Sequence, residues 1–348
     1  MTLSLYLTRV VAGRVLAVLT GFVLLGLSFD LLENSTDLIR THGLDGVGQY
    51  ALLRAPLILL TVFPLGVLFG ATLAFFALAA RNEMVVIRTA GVNTVSIVFR
   101  LIPLALLLGA AQNQLAARIG PAAEQALVER FPEFVDTPDV KSEVWLRDWK
   151  AVIRIGRTSA NGSVLYDVSI FETAPDGELN RRIDAAVARY AGEDWQLTGV
   201  TVHRPDRKPE TMSMLYWKSR LTPAGVVGAA RQPDLVSSAD VRRILSGERP
   251  GARGTPYYLV QLWRSYAAFL IPAVMVVFGA LASFGLVRSG GGARHIALGV
   301  AAGTGFVLVN GVFSSLGQAG AMQAVLAAFI APAVFFVLGL WTIVVIEE

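Results

Sequence analysis

The chain has 348 residues, 54% of them hydrophobic and 16% charged, with a formal net charge of +4 and a mean hydropathy of +0.57. Soluble domains are about 45–50% apolar and about 25% charged, so the composition points to a membrane protein. Cysteine is absent, which excludes disulfides and thiolate metal sites, and His42, His203 and His295 lie far apart without a ligand pattern such as H-E-x-x-H.

A membrane-crossing helix needs roughly 20 predominantly apolar residues. Val10–Phe29 is the first such run, preceded or opened by Arg9 and Arg14. It is longer than the apolar region of a signal peptide and no A-x-A site follows it, so a retained helix is expected. An acid-rich connection with Asp30, Glu33, Asp37 and Asp45 follows, in which Arg40 and Arg54 are the basic residues. Pro56–Ala80 is the second run, with Pro64 as a tolerated kink, and Ile97–Ala117 the third, containing Pro103.

Between the second and third runs lies AARNEMVVIRTAGVNTVS, Ala79 to Ser96. Arg81, Asn82, Glu83, Arg88 and Asn93 are polar, while Met84, Val85, Ile87 and Val92 are spaced as the apolar side of a short interfacial helix. Such a helix offers a surface to a partner, with Glu83 able to meet a basic group through charge-assisted hydrogen bonds. The alternative is a solvated helix end in which Glu83 pairs with Arg81 or Arg88. The residues themselves leave both open.

From Arg118 to Thr255 the pattern changes to short alternating runs. Val152–Ile155, Val164–Ile170 and Trp195–Val202 read as strands, with Val164, Tyr166, Val168 and Ile170 on one face. Asn161-Gly162, Pro175-Asp176-Gly177, Gly192-Glu193-Asp194 and Pro205-Asp206 supply turns. The spacing suggests a sandwich or jelly-roll. Its apolar residues could line a groove for lipid chains or simply fill a core. Ser238 is placed to cap a short helix through Val241 and Ile244, ahead of a Gly/Pro-rich linker.

Apolar runs resume at Tyr258–Val287, Ile296–Leu316 and Ala321–Ile346, the middle one glycine-rich and carrying Asn310. The expected architecture is therefore a six-helix transmembrane bundle with an inserted all-β, jelly-roll-like domain: 1–117 for the first three helices, 118–255 for the insert and linker, 256–348 for the last three. Arg9 and Arg14, Arg81 and Arg88, and Arg288 and Arg294 occupy alternate ends and loops. The positive-inside rule then places both termini in the cytoplasm and the insert outside. Arginine beside apolar runs is thus explained by topology rather than by phosphate binding, and no nucleic-acid partner is expected.

No G-x-x-x-x-G-K-[ST] occurs, since no lysine follows a glycine, and there is no G-x-S-x-G elbow. Gly290-Gly291-Gly292 is not preceded by a strand and reads as a turn between apolar runs. No cofactor or metal is expected in this chain.

The whole chain resembles the lipopolysaccharide export permeases LptF and LptG, and more closely the LptG type. The resemblance rests on Tyr6 to Arg9, on FPLGVLFGATLAFFALAARNEMVVIRTAGV from Phe63 to Val92, on Gly120-Pro121 with Glu124-Gln125, and on WLRD from Trp145 to Asp148. Arg288 after Ser283-Phe284, and the short stretch after the sixth run, favour the LptG type.

The resemblance implies a heterodimer with an LptF-like second permease, a cytoplasmic LptB-like ATPase dimer that binds the ATP, and an LptC-like membrane-anchored bridge protein. The substrate it implies is lipopolysaccharide, taken from the outer leaflet of the bacterial inner membrane. It makes Glu83 the residue that docks into the ATPase, with Arg81, Arg88 and Arg288 in the same coupling. The outer end of the first helix often carries basic residues for lipid phosphates; here Arg40 stands among acids. No proline occurs at Leu281–Phe284, where many relatives have one.

Two competing functions are weighed. A lipoprotein-release permease is expected to have four spans with its domain directly after the first, unlike the three-plus-three division here. A membrane-anchored envelope enzyme would draw on Asp139, Glu143, Asp148 and His203, which lack a base–nucleophile spacing.

Overall fold

The computed structural model describes residues 2–134, 143–148, 151–159, 161–173, 179–192, 194–205, 207–219, 221–230, 236–248, 251, 253–281 and 292–347. The chain divides into two compact units, Met1–Arg130 with Val260–Glu348 and Phe131–Leu259.

The helical unit begins with α1, Thr2–Ala80, one helical run broken at Gly43, where φ is 69° and ψ −173°. A left-handed φ costs a glycine little, so the chain turns back there. The two arms pack antiparallel: a Cβ on Gly70 would stand 2.4 Å from Val15 Cα, and one on Gly66 2.3 Å from Leu19 Cδ2. The acid-rich stretch expected as a connection is helical. Asn34 and Thr41 return hydrogen bonds to the carbonyls of Asp30 and Asp37, and Asp30 meets Arg54 of the other arm at 3.1 Å.

After α1 come α2, Glu83–Thr89, and α3, Thr94–Gln114. A π-helical turn, Leu115–Ile119, joins α3 to α4, Gly120–Arg130, whose Ala123 and Leu127 are buried. Later in the chain, α7, Thr255–Ala267, and α8, Ile271–Leu281, form a pair bent by 53°. The bend precedes Pro272, which has no N–H to give to the turn before it. Gly109 of α3 sits against it, since a Cβ there would lie 2.6 Å from Phe269 Cα. The fourth apolar run is therefore broken between Ala267 and Ile271, whereas Ser283 and Phe284 lie outside the described residues.

Two further helices complete the unit: α9, Gly292–Gln318, and α10, Ala324–Glu347. Among the described residues four helices are long and apolar enough to cross a membrane, one of them α1, and the bent pair would make a fifth. Their shared core joins Leu7, Val11 and Val15 with Phe75, Leu101, Val274, Phe278, Phe306 and Ile343. Outward, Leu16, Leu24, Leu107, Leu308 and Trp341 are exposed. An apolar exterior of this kind requires an apolar solvent.

The second unit is built on β1, Val144–Asp148; β2, Ala151–Thr158; β3, Val164–Thr173; β4, Leu179–Tyr190; β5, Asp194–Arg204; and β6, Arg207–Lys218. They form a six-stranded antiparallel sheet in the order β1-β2-β3-β4-β5-β6. Each strand pairs with its sequence neighbour, so the described strands form a meander rather than the Greek-key crossings of a jelly-roll. Short turns explain this. At Asn161-Gly162, Gly162 takes φ 72° and Asn161 Oδ1 accepts from Ser163 N–H at 3.2 Å.

The alternation expected in β3 breaks at Asp167, which adopts φ 55°. Leu165 and Val168 consequently both face inward, and Tyr166 is exposed. The same change of phase occurs opposite, between Ala185 and Ala188 in β4 and between Leu197 and Val200 in β5, where Gly199 has φ 65°. A crease therefore crosses three strands. The core beneath holds Ile153, Ile155, Ile170, Ile183 and Trp195, whose indole N–H donates to Leu221 O at 2.8 Å. Two short helices follow the sheet, α5, Pro223–Ala230, and α6, Ser238–Leu245. The N-cap of α6 is Ser237, one residue before the expected Ser238, and its side chain accepts from Asp240 N–H at 3.1 Å.

Candidate coupling site

The segment between the second arm of α1 and α3 is shaped by its own turn residues. Asn82 takes the left-handed conformation, φ 59°, ending α1 and admitting Glu83 as the first residue of α2. Asparagine is among the few residues that tolerate this backbone. At the other end Gly91 adopts φ 85°, Gly91 N–H bonds Arg88 O at 2.9 Å and Val92 N–H bonds Ile87 O at 3.3 Å. This pair of bonds is a Schellman stop. Asn93 then caps α3, its side chain accepting from Ser96 N–H at 2.9 Å. The helix expected over about 79–96 is thus seven residues long, bounded by two turns.

Of the four residues expected on the apolar side, three pack on the helical core, and Val85 is half-buried outside it. Met84 is 1% exposed and enters the helical core, with Ile87 and Val92 packed against it. Val86, by contrast, is 66% exposed. Thr89 is exposed with it, as are Arg81 and Ala90 in the turns on either side, so the outward side of the segment mixes Val86 with polar and small residues.

Glu83 is half-buried, and its Oε2 accepts a short hydrogen bond from the Tyr6 hydroxyl at the start of α1. Neither arginine considered as its partner provides this bond. Arg88 turns the other way: its Nη2 donates to Thr94 Oγ1 at 2.8 Å, and its Nε lies 4.0 Å from Glu347 Oε1. That same Glu347 oxygen accepts from Thr94 N–H at 2.8 Å and from Thr94 Oγ1 at 2.9 Å. Sequence reading missed Tyr6, Thr94 and Glu347. The discoverable signal was an acid at the end of the last apolar run, on the side where the charge rule expects arginine.

The remaining site candidates are dispersed. Arg40 is exposed near the Gly43 turn, well along α1 from the coupling segment, and Arg288 lies outside the described residues. Of the residues considered for an enzyme, Asp139 also lies outside them. Glu143 is an ion-pair partner of Arg154, whose guanidinium Nε donates to it at 3.0 Å and holds its carboxyl below the ordinary range. His203 stands 3.3 Å from Asp184, a carboxylate that also accepts from Ser169 at 2.7 Å and Arg182 at 2.9 Å. The hydroxyl among these groups, Ser169, is buried and gives its hydrogen bond to Asp184 rather than to an imidazole, so the cluster reads as sheet ion pairing. No group of three or more potential metal ligands occurs among the described residues.

The chain is 24% identical over 306 residues to the lipopolysaccharide export system permease protein LptG of Escherichia coli strain K12, covering 85% of this chain and 84% of that protein. It is 23% identical over 350 residues to the LptG protein of Haemophilus influenzae, covering 98% of this chain and 97% of that one. The model of the family described as lipopolysaccharide export system permease LptF/LptG matches residues 5–344. With its set of long apolar helices, a separate antiparallel sheet and a short exposed-faced helix between two long ones, this chain belongs to the LptF/LptG family of permeases and is a component of lipopolysaccharide transport rather than an enzyme.

Proposed function

We propose that this protein is the LptG-type permease subunit of an ATP-driven exporter that draws lipopolysaccharide out of the outer leaflet of the inner membrane and passes it to a periplasmic bridge. The reading counts each arm of α1 as a span, which with α3, the bent α7–α8 pair, α9 and α10 makes six. Charge asymmetry puts both termini and α2 in the cytoplasm and the sheet in the periplasm.

Work is required because removing acyl chains from a bilayer costs roughly 0.8 kcal/mol per CH₂, hence tens of kcal/mol for a glycolipid with several chains. The chain carries no nucleotide-binding motif. A separate ATPase dimer therefore supplies the work, and an LptF-like second permease completes the cavity.

The observation that carries this reading is the seven-residue α2, fixed by Met84 in the core while Val86 and Arg81 face out. It is a lever with one buried and one open side. Glu83 is the docking carboxylate, Arg81 flanks it, and Arg88 keeps the lever attached; Arg288 belongs to the same cytoplasmic surface. Arg40 is the one basic group near the Gly43 turn offered to a lipid phosphate.

The test is Glu83→Ala in the assembled exporter. Export is expected to fall roughly tenfold or more while membrane insertion is unchanged, as for loss of one partner of an interfacial charge pair. Normal ATPase association together with normal export in that variant would remove Glu83 from the mechanism. Co-purification of neither an ATPase nor a second permease from native membranes would overturn the whole reading.

A further inference from the structure

Glu347 ends α10, where a carboxylate faces the negative end of its own helix dipole. A charge in that position needs another source of stabilisation. It finds one at the start of α3, whose first N–H groups lack partners within their own helix and which carries the positive end of the dipole. Thr94 N–H and Thr94 Oγ1 both donate to Glu347 Oε1, at 2.8 and 2.9 Å, while Arg88 donates to Thr94 Oγ1 at 2.8 Å and approaches the same carboxylate to 4.0 Å. Thr94 is wholly buried. The last turn of α2 and the first turn of α3, six residues apart, thus meet the last turn of α10, 253 residues further on, at one carboxylate oxygen.

We infer that Glu347 is a positioning residue that clamps the coupling helix to α10, so that movement of α2 is delivered to α10 as well as to the helices adjoining α2 in sequence. The inference rests on the proposed docking of α2 to an ATPase and adds the route by which its displacement spreads. Water competes poorly for a buried threonine and a carboxylate that is three-quarters covered, so the clamp persists where an exposed ion pair would exchange. Beyond the clamp the route continues by close packing. A Cβ on Gly339 of α10 would lie 2.5 Å from Val277 Cγ1 of α8, and Ile343 is buried in the same core. A shift of α10 therefore presses on α8, the second helix of the bent pair.

The experiment uses the full exporter in lipid vesicles, with lipopolysaccharide release and ATP hydrolysis measured in parallel. Glu347→Ala and Thr94→Val are expected to lower lipid released per ATP hydrolysed about fivefold with hydrolysis itself within about twofold of the parent, the size of effect seen for residues on a coupling route. Thr94→Ser keeps both donors and should retain the parent ratio. Glu347→Gln keeps the acceptor oxygen and should lose less than Glu347→Ala. Glu83→Ala is measured alongside. An unchanged ratio in Glu347→Ala and Thr94→Val, with Glu83→Ala defective, would overturn the clamp and leave the proposed function standing. An unchanged ratio in all three, with export and ATPase association of Glu83→Ala also normal, would overturn the clamp and remove Glu83 from the mechanism. If Glu347→Ala does not assemble, Thr94→Val decides; equal falls in hydrolysis and release there would mean a merely structural role and would likewise overturn the clamp.

Discussion

The helical unit and the sheet unit solve the packing problem in opposite ways. In the helical unit large apolar side chains such as Leu16, Leu24 and Trp341 point outward, and close helix contacts run through glycine: Gly70 against Val15, and Gly279 against Ala71 and Thr72 N. In the sheet unit Trp195 and Trp217 are buried while Trp145 is exposed, and the edge strand β6 exposes nearly every residue from Arg207 to Leu215. The difference follows from the solvent. Where lipid surrounds the protein, burying leucine gains little over leaving it outside, so association depends on close backbone approach through small residues. Where water surrounds it, burial of large apolar side chains drives folding. The contrast teaches that one chain can change its packing rules at the point where its surroundings change.

The comparison can be broken most severely at Trp195. Trp195→Ala removes both the core side chain and the donor to Leu221 O, and is expected to cost about 3–5 kcal/mol. In the full-length protein, protease cleavage within 131–259 should increase sharply while the helical unit stays inserted; equal loss of both units would merge what the comparison separates.

Next in size is Gly70→Ala in α1. The new methyl would stand 2.4 Å from Val15 Cα, a backbone atom that cannot step aside, so a loss of about 1–3 kcal/mol is expected. Gly21→Ala, with nothing within 4 Å, is the control and should not lower stability. Thermal unfolding in lipid nanodiscs reads both.

Tyr6→Phe sharpens the coupling site. It deletes only the hydroxyl that bonds Glu83, at a surface where such a bond is worth about 0.5–1.5 kcal/mol. Export should change several-fold less than in Glu83→Ala. An effect as large as that of Glu83→Ala would move the docking role from the carboxylate to the pair.

The smallest effect concerns pH. Arg154 lowers the pKa of Glu143, so the pair's contribution is present above the ordinary carboxylate range and is lost as pH falls through the lowered native value. Glu143→Gln should therefore narrow the acid-induced loss of sheet stability slightly, with parent and variant converging at low pH. A variant that diverged further on acidification would contradict the sign.

Much of this was legible in the linear chain because it depends on local chemistry. Apolar runs separated by arginines marked the helices, Asn161-Gly162 marked a hairpin turn, and Met84 and Ile87 of the apolar set that also included Val85 and Val92 marked the inward side of α2. Other features escaped because their causes lie far away in sequence. The acid-rich stretch reads as a connection until Arg54 is seen across from Asp30. Alternation in β3 reads as regular until Asp167 turns left-handed and carries the phase of β4 and β5 with it. Pro272 reads as one proline among several until Gly109 brings α3 against the break.

The amino-acid order by itself determined where the apolar runs lie, where turns interrupt them, and that no nucleotide motif is present, since each depends on residue type within a few positions. Only the tertiary structure decided which groups meet. Tyr6 with Glu83, and Thr94 with Glu347, are pairings across 77 and 253 positions, and no periodicity in a chain encodes a contact that exists only after its helices have packed.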